Sequence, residues 1–290
     1  MTGSNNLKEN IIYGIFLVLG LITVGFVLLI SIYLIIAGLP AIREIGLIDF
    51  LFGTKWASTA AEPKFGILPF ILTSVYGTAG AVIIAIPVGF FTAVYISKIA
   101  PKWVRTWVSG AVNLLAGIPS VVYGLVGMMV LIPGIRVVFN VPDGATLLAA
   151  IIVLSIMILP YIISVSVTSL DAVPKSYEDA SLALGANHIE TYFRVSVPAA
   201  KIGIAAAVVL GVGRAIGEAM AVIMVSGNVA NMPGIFESVR FLTSAVASEM
   251  SYSSGLQREA LFSIALVLFL FIMLINACLN FFIKRGQKLH

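Results

Sequence analysis

The sequence has 290 residues, of which 60% are hydrophobic and 10% are charged, and its mean hydropathy is +1.10. Soluble domains carry about 25% charged residues, so this composition excludes a soluble globular protein and indicates an integral membrane protein. The net charge of +4 first bears on orientation, because the basic residues of membrane proteins collect on the cytoplasmic side.

Six apolar runs are long enough to cross a bilayer, which needs about 20 helical residues. The runs cover approximately 11–38, 68–97, 107–135, 145–168, 202–227 and 260–283. They predict an all-α, polytopic membrane protein with six transmembrane helices. The first run is not followed by a small-residue cleavage pattern, so we expect a retained helix rather than a signal peptide.

Basic residues predict the orientation of these spans. If the N-terminus is cytoplasmic, most of the 17 lysines and arginines lie in inner segments. The asymmetry is clearest in the short loop 98–106 and at the C-terminus, which carries Lys284, Arg285 and Lys288. Both termini are therefore predicted to be cytoplasmic.

The segment after the first span, 39–67, is predicted to be a structured external loop with one short interfacial helix around Leu47 to Phe52. A plain solvated connector is the alternative. In the third span, Pro119 removes a backbone donor and predicts a break in the helix. Ser120 and Tyr123 beside this break, together with Asn113, are candidates to line a path; the alternative is that they only join helices.

The polar segment between spans four and five carries its own helix signals. Ser176 stands three residues before Asp179, a capping-box spacing that predicts a helix start. Gly185 provides the left-handed residue that ends the helix. Asn187 and Glu190 repeat the capping-box spacing. We therefore predict two short helices at an angle on the inner face.

Span five contains two charged residues. Arg214 follows Lys201 by 13 residues, about 20 Å of helix, which places it near the bilayer centre. An arginine there costs about 2.5 to 3.5 kcal/mol on insertion scales, and Glu218, one turn further on the same face, can pair with it. The pair either locks helices together or forms a site in which the guanidinium binds a tetrahedral oxyanion and Glu218 orients it.

Small residues also recur every four positions in this span, at Gly213, Gly217 and Ala221, and predict close helix packing. The sequence has no glycine-lysine phosphate loop of the kind found in ATPases. Energy coupling therefore has to come from a partner.

A longer pattern surrounds the inner helices: Asp179, Ala180 and Ser181, then Gly185, then the run Val195–Pro198. It resembles the EAA loop of ABC importer permeases, with Asp179 in place of the usual Glu and Ser181 in place of the second Ala. The resemblance implies a MetI-like permease fold whose coupling helix docks on a separate ATPase. The implied coupling residues, all within the loop 171–201, are Glu178, Asp179, Ala180, Ala183 and Gly185.

Three further runs, Gly213–Ala221, Ser226–Asn228 and Gly117–Gly124, are similar to PstC-type permeases of phosphate-specific ABC importers. This resemblance implies a PstA-type permease as partner, a PstB-type ATPase dimer that binds ATP and Mg²⁺, and a PstS-type phosphate-binding protein. The external segments 39–67 and 228–259 are then the expected docking surface for the binding protein.

The combined prediction is a permease subunit of an ATP-driven phosphate importer that forms half of the translocation pathway. It has no cofactor, no enzymatic activity of its own and no nucleic-acid partner. The predicted substrate pathway comprises Arg214, Glu218, Ser120 and Tyr123. The predicted division is 1–67, the first helix with its external loop, and 68–290, the permease core.

Three alternatives remain open at this point. The cargo is another oxyanion, such as molybdate or sulfate. The chain works alone as a secondary transporter or channel. The chain is an intramembrane enzyme, which the sequence disfavours because neither His188 nor His290 lies in a span. No metal site is predicted, since these histidines and Cys278 have no second ligand at suitable spacing.

Overall fold

The computed structural model describes residues 3–287 of the chain. Its helices are α1 Gly3–Ile45, α2 Leu47–Phe52, α3 Leu68–Val94, α4 Lys102–Gly117, α5 Ser120–Val126, α6 Ile132–Phe139, α7 Leu147–Asp171, α8 Lys175–Ala183, α9 His188–Thr191, α10 Val197–Ala199, α11 Lys201–Ile216, α12 Met220–Val225, α13 Leu242–Glu249 and α14 Gly255–Gln287. Three π-helical turns span Tyr95–Ile99, Gly127–Leu131 and Tyr192–Ser196. Two short strands, β1 Trp56–Ala57 and β2 Lys64–Phe65, form an antiparallel hairpin.

The predicted all-α, multi-span architecture is confirmed. Within residues 3–287, five helical stretches are long and apolar enough to cross a membrane: Glu9–Ile45, Leu68–Ile99, Ser120–Phe139, Leu147–Asp171 and Gly255–Leu279. A sixth crossing is available if His188–Ala199 and Lys201–Ile216, which meet at 69°, count as one bent span. Lys288, one of the basic residues behind the predicted orientation, lies outside the described residues.

Helix α7 is the centre of the fold, with buried residues along its whole length. Both α3 and α11 approach it closely at Ile162, which is 1% exposed. A Cβ atom added at Gly89 of α3 would lie 2.8 Å from the Ile162 side chain, and one at Gly211 of α11 would lie 3.0 Å from it. A side chain at either position would press on Ile162, so the two glycines let three helices pack around one isoleucine.

The first helix packs on the last. The Tyr33 and Phe262 rings meet edge to face at 5.6 Å, and the Ser263 hydroxyl donates to the Gly38 carbonyl. A Cβ atom at Gly38 would lie 3.0 Å from the Phe262 carbonyl oxygen. The half of α1 next to α2 is thus fixed on α14, whereas its N-terminal half exposes apolar side chains suited to contact with lipid.

The loop 39–67 is structured, so the alternative of a plain connector is wrong. The predicted short helix is α2, with Leu47–Phe52 as its bounds. Phe50, Ile67 and Phe70 are fully buried with residues of α13 and α14. The loop is therefore part of a layer packed with α13 and α14.

The predicted third span, 107–135, is wrong in its bounds. The chain is broken between α4 and α5 at Ile118 and Pro119, and the apolar crossing is Ser120–Phe139. Proline has no N–H to donate to the residue four positions earlier, so the helix ends before it. Hydropathy did not locate this break, because α4 is amphipathic and also contributes apolar residues.

The fifth span is also interrupted. Predicted as one helix over 202–227, it consists of α11, which ends at Ile216, and α12, which begins at Met220. Glu218 lies in the non-helical residues between them. The break occurs at a glycine followed by a buried carboxylate, which competes for the N–H groups of the next turn.

The inner helices, α8 and α9, form as predicted, with one correction. Helix α8 begins at Lys175 after Pro174, and the capping box predicted at Ser176 is absent because no side chain caps this helix. The preceding proline already fixes the backbone for helix entry. The second capping box, between Asn187 and Glu190, is confirmed, and Gly185 has the predicted left-handed conformation with φ +90°.

Candidate functional site

Glu218 is held at the break in span five by hydrogen bonds from two helices, α12 and α13. Its residue is 5% exposed, and its Oε1 accepts the Ala221 N–H at 3.1 Å in the first turn of α12. The Thr243 hydroxyl of α13 donates to the Glu218 carbonyl at 2.7 Å. A carboxylate at a helix N-terminus is favoured by the unpaired N–H groups and the helix dipole. The break therefore places one fixed carboxyl group inside the protein.

Arg214 lies on the other side of the break, in the last turn of α11, where the helix dipole favours a cation. Its side chain is 41% exposed, and one guanidinium nitrogen lies 3.8 Å from Glu218 Oε2. The guanidinium carbon lies 5.7 Å from the centre of the Tyr161 ring of α7. Among residues 3–287 no hydrogen bond to this guanidinium is found, so its donors remain available to a ligand.

The predicted packing stripe is correct only at Ala221, which is fully buried, because the surface at the two glycines beside Arg214 is open. A Cβ atom at Gly213 would meet nothing within 4 Å, and one at Gly217 would meet only the Gly213 carbonyl at 3.4 Å. The glycines of α11 that do pack are Gly203, against Ser169, and Gly211. Spacing alone could not distinguish a packed glycine from an open one, because both kinds recur on the same helix.

The two broken spans meet. Gly124 of α5 packs against Ala221 and Met224 of α12, and a Cβ atom there would lie 3.0 Å from the Ala221 Cα. Ser120 is the first residue of α5 and is partly exposed. The structure thus places Ser120 and Tyr123 on a helix that packs on the one capped by Glu218.

Tyr123 has a clear structural contact. Its hydroxyl donates at 2.7 Å to the Leu115 carbonyl, whose usual helical partner would be the N–H that Pro119 lacks. The Ile118 N–H also donates to this carbonyl, at 3.2 Å, so Tyr123 supplies a second donor to a backbone acceptor at the break. Asn113 lies elsewhere: it lines a cavity of about 170 Å³ between α4 and α7.

A larger cavity of about 620 Å³ runs along α5, α6 and α7. Its lining is almost entirely apolar and includes Val126, Val130 and Ile156, with Tyr123 at one side. It offers no charged side chain for an anion. The candidate anion site is therefore the open face at Arg214, not this apolar cavity.

The inner helices present the predicted coupling residues in two groups. Asp179, Ala180, Ala183 and Gly185 are exposed. Glu178 points into the protein instead, where its Oε1 accepts Lys98 Nζ at 2.6 Å and the Ser196 hydroxyl at 2.8 Å. Partial burial opposes ionisation, but the hydrogen bonds from Lys98 and Ser196 and the charge of Lys98 outweigh it and lower the pKa of Glu178.

The comparisons with known proteins agree with this architecture. Residues 85–287 match the family model described as "Binding-protein-dependent transport system inner membrane component". The chain belongs to this transport permease family. Members are, by that description, membrane subunits of multicomponent transport systems, so the chain is a transport subunit.

Curated relatives cover most of the permease. It is 40% identical over 265 residues to a probable ABC transporter permease protein, YqgH, of Bacillus subtilis, covering 88% of this chain and 86% of that protein. It is 34% identical over 286 residues to the phosphate transport system permease protein PstC of Haemophilus influenzae, covering 91% and 90%. The similarity to PstC-type permeases is confirmed.

Solved structures share the fold of this permease. The inward-facing MetNI methionine ABC transporter matches with a TM-score of 0.60 at 20% identity, over 76% of this chain and 95% of that chain. A bacterial alginate ABC transporter matches with a TM-score of 0.63 at 15% identity, over 96% of each. At these identities the likeness shows the fold alone, and it confirms the predicted MetI-like architecture.

Four residues that lie near the Arg214–Glu218 pair or at the inner helices were not predicted from the sequence. Tyr161, next to Pro160 in a predicted span, carried an aromatic signal, but nothing indicated that it would face Arg214. Lys98 carried only an orientation signal. Thr243 carried no signal. Leu184, which is 90% exposed on the inner helices, is an apolar residue in a polar segment, and that contrast was available.

Proposed function

We propose that this permease is the PstC-type subunit of an ATP-driven phosphate importer and forms half of the translocation pathway. The observation that carries the proposal is the Arg214 guanidinium, which is open on one side, has a single long ionic contact and lies in a membrane-spanning region. A buried or half-buried ion pair is a poor stabiliser, so a structural role alone accounts weakly for an arginine kept there. The phosphate permeases among the relatives support phosphate as the cargo.

Arg214 and Glu218 divide the recognition of the anion in this proposal. The guanidinium donates to two phosphate oxygens and neutralises their charge. Glu218 Oε1 is already engaged by Ala221, while Oε2 faces Arg214. Hydrogen phosphate carries a P–OH that can donate to Oε2, whereas sulfate at neutral pH has no such proton. The carboxylate therefore favours phosphate over a fully ionised oxyanion.

The breaks in spans three and five give the anion a wet route. Non-helical backbone at membrane depth is tolerated where it lines a cavity or is buried in protein. Ser120 begins the helix that packs on α12. Tyr123 stabilises the break in span three through its hydrogen bond to the Leu115 carbonyl. We assign Ser120 to the pathway lining and Tyr123 to its support.

The partners follow from the same proposal. A PstA-type permease completes the pathway, a PstB-type ATPase dimer binds ATP and Mg²⁺, and a PstS-type protein delivers phosphate. The exposed inner surface of α8, with Asp179, Ala180, Ala183 and the adjoining Gly185, provides the docking surface for the ATPase. The chain itself is proposed to have no cofactor and no hydrolytic activity.

The proposed orientation has both termini in the cytoplasm, because the basic residues of the loop 98–106 then lie on the inner side. The same arrangement places α8 inside and the packed layer around α2 and α13 outside, where 39–67 and 228–259 receive the binding protein. The division into 1–67 and 68–290 is part of this proposal. A cysteine-accessibility map with labels at the exposed positions Leu184 and Ile48 tests the proposed orientation.

The cargo is tested in the complete complex, reconstituted in liposomes with its ATPase, partner permease and binding protein. ATP hydrolysis and uptake are measured with phosphate, sulfate and molybdate. The proposal predicts stimulation of both by phosphate well above that by the other two anions. Equal stimulation by sulfate or molybdate would remove phosphate as the specific cargo, and uptake by the isolated chain along a proton gradient would remove the ABC mechanism.

A further inference from the structure

Two consecutive residues, Ser97 and Lys98, in the π-helical turn after α3 form hydrogen bonds with the end of α7 and with α8. The Ser97 hydroxyl donates to Asp171 Oδ1 at 2.6 Å, and Lys98 Nζ donates to Glu178 Oε1 at 2.6 Å. Both belong to the π-helical turn Tyr95–Ile99 that continues α3. Side chains of a single turn therefore attach α8 and the residues before it to the long helix α3.

The second of these contacts is the more enclosed one. The Lys98 and Glu178 side chains are only 10% and 18% exposed. The Ser196 hydroxyl, from a fully buried residue of the π-helical turn Tyr192–Ser196, donates to the same carboxylate oxygen. One carboxylate thus joins α3, α8 and the approach to α11.

A nearby ion pair provides a contrast. Arg105 in the first turn of α4 and Asp171, the last residue of α7, also form an ion pair, but their side chains are 44% and 33% exposed. Pairs exposed to water contribute little, because solvent screens them and the side chains can separate. Breaking an enclosed pair leaves an uncompensated charge, so the Lys98–Glu178 contact resists separation far more.

The position of the enclosed contact connects it with both sides of the protein. Glu178 is followed directly by Asp179 and Ala180 on the exposed surface of α8. Lys98 continues α3, which packs along α7 through Gly89 and Ile162. A displacement of α8 is therefore transferred to α3 for as long as the pair is intact.

We propose that Lys98, Glu178 and Ser196 form a rigid link that converts displacement of the inner helix α8 into movement of the membrane helix α3. Lys98 is in this view a positioning residue for coupling, not a residue that contacts the ATPase or the cargo. The proposal rests on the proposed function in one respect: the motion of α8 is taken to come from the ATPase.

The test uses the full reconstituted complex with four forms of this chain: wild type, Lys98→Met, the charge swap Lys98→Glu with Glu178→Lys, and the control Arg105→Gln. Phosphate taken up per ATP hydrolysed is the first readout. We expect Lys98→Met to retain the ATPase and its hydrolysis while lowering uptake per ATP about tenfold, the effect of roughly 1.4 kcal/mol. The swap restores coupling in large part, and Arg105→Gln leaves it unchanged.

A second readout does not depend on the cargo. Spin labels at Ser176 on α8 and Phe91 on α3, both exposed, are placed in a Cys278→Ser background. In wild type the distance between the labels stays the same in nucleotide-free and ATP-bound complexes, because the two helices move together. In Lys98→Met it changes between the two states.

Unchanged label distances in Lys98→Met overturn the link, whatever the cargo is. Loss of ATPase binding in Lys98→Met together with no recovery in the swap also overturns it, since that pattern indicates a purely structural role. A wild-type complex that does not take up phosphate contradicts the proposed function instead, and the label distances then decide the link independently.

Discussion

The Arg214 guanidinium and the Glu218 carboxylate lie 3.8 Å apart across the break that separates α11 from α12. The arginine is 41% exposed and the glutamate side chain 4% exposed, so the pair is asymmetric: one member is fixed and the other faces open space. The fixed member is a helix-capping group, and the open member keeps unused donors. This asymmetry is what makes the pair suited to a ligand.

Replacing the fixed member tests its role in selectivity. In Glu218→Gln the side-chain oxygen still accepts the Ala221 N–H, so we expect the protein to fold and assemble. The neutral amide no longer repels a fully ionised anion. We therefore expect the preference for phosphate over sulfate in uptake assays to fall at least about tenfold. Tenfold corresponds to about 1.4 kcal/mol, which is about the free energy of one hydrogen bond.

Glu218→Ala is the comparison, because it also removes the acceptor for Ala221 and is expected to lower the melting temperature of the complex. If Glu218→Gln aggregates as well, the carboxylate is structural and its part in recognition is contradicted.

The Tyr161 ring is expected to position the open guanidinium. A cation over an aromatic face is stabilised by about 0.5 to 2 kcal/mol, and phenylalanine keeps that face whereas leucine does not. We expect Tyr161→Leu to raise the phosphate concentration for half-maximal transport about fivefold, with the maximal rate less affected. Tyr161→Phe is the matched control and should behave as wild type; equal behaviour of the two variants would remove the positioning role.

Gly185 sets the angle between the two inner helices. Its φ of +90° is strained for a residue with a side chain, while a Cβ atom there would meet nothing within 4 Å. Gly185→Val is therefore expected to act through the backbone alone and to reduce co-purification of the ATPase or its stimulation by substrate. Gly185→Asn, which tolerates a left-handed conformation better, should retain much more of both. Unchanged coupling in the valine variant would count against the assigned coupling surface.

The sequence predicted the features that depend on composition and local chemistry. Apolar length located the spans, and the Asn187 capping box and the left-handed Gly185 formed as expected because each is decided within a few residues. Breaks within spans were harder: Pro119 indicated a break, but hydropathy still assigned the preceding amphipathic helix to the membrane.

The contacts between elements could not be predicted in the same way. Glu218 was expected on a continuous helix, whereas its contacts with Ala221 and Thr243 define a break. Glu178 was grouped with its exposed neighbours, although Lys98, 80 positions earlier, holds it inside. Such outcomes depend on which helix faces which, and one sequence does not contain that directly.

The central claim is that an open arginine inside the membrane carries phosphate that a partner ATPase drives. It is tested most directly by phosphate uptake into liposomes that contain the complete complex with either wild-type chain or Arg214→Gln, with the exposed Arg136→Gln as control. We expect Arg214→Gln to assemble normally and to take up less than about one tenth of the wild-type amount, a loss of at least about 1.4 kcal/mol of recognition free energy. Arg136→Gln is expected to stay at the wild-type level. Normal phosphate uptake by the assembled Arg214→Gln complex would contradict the claim.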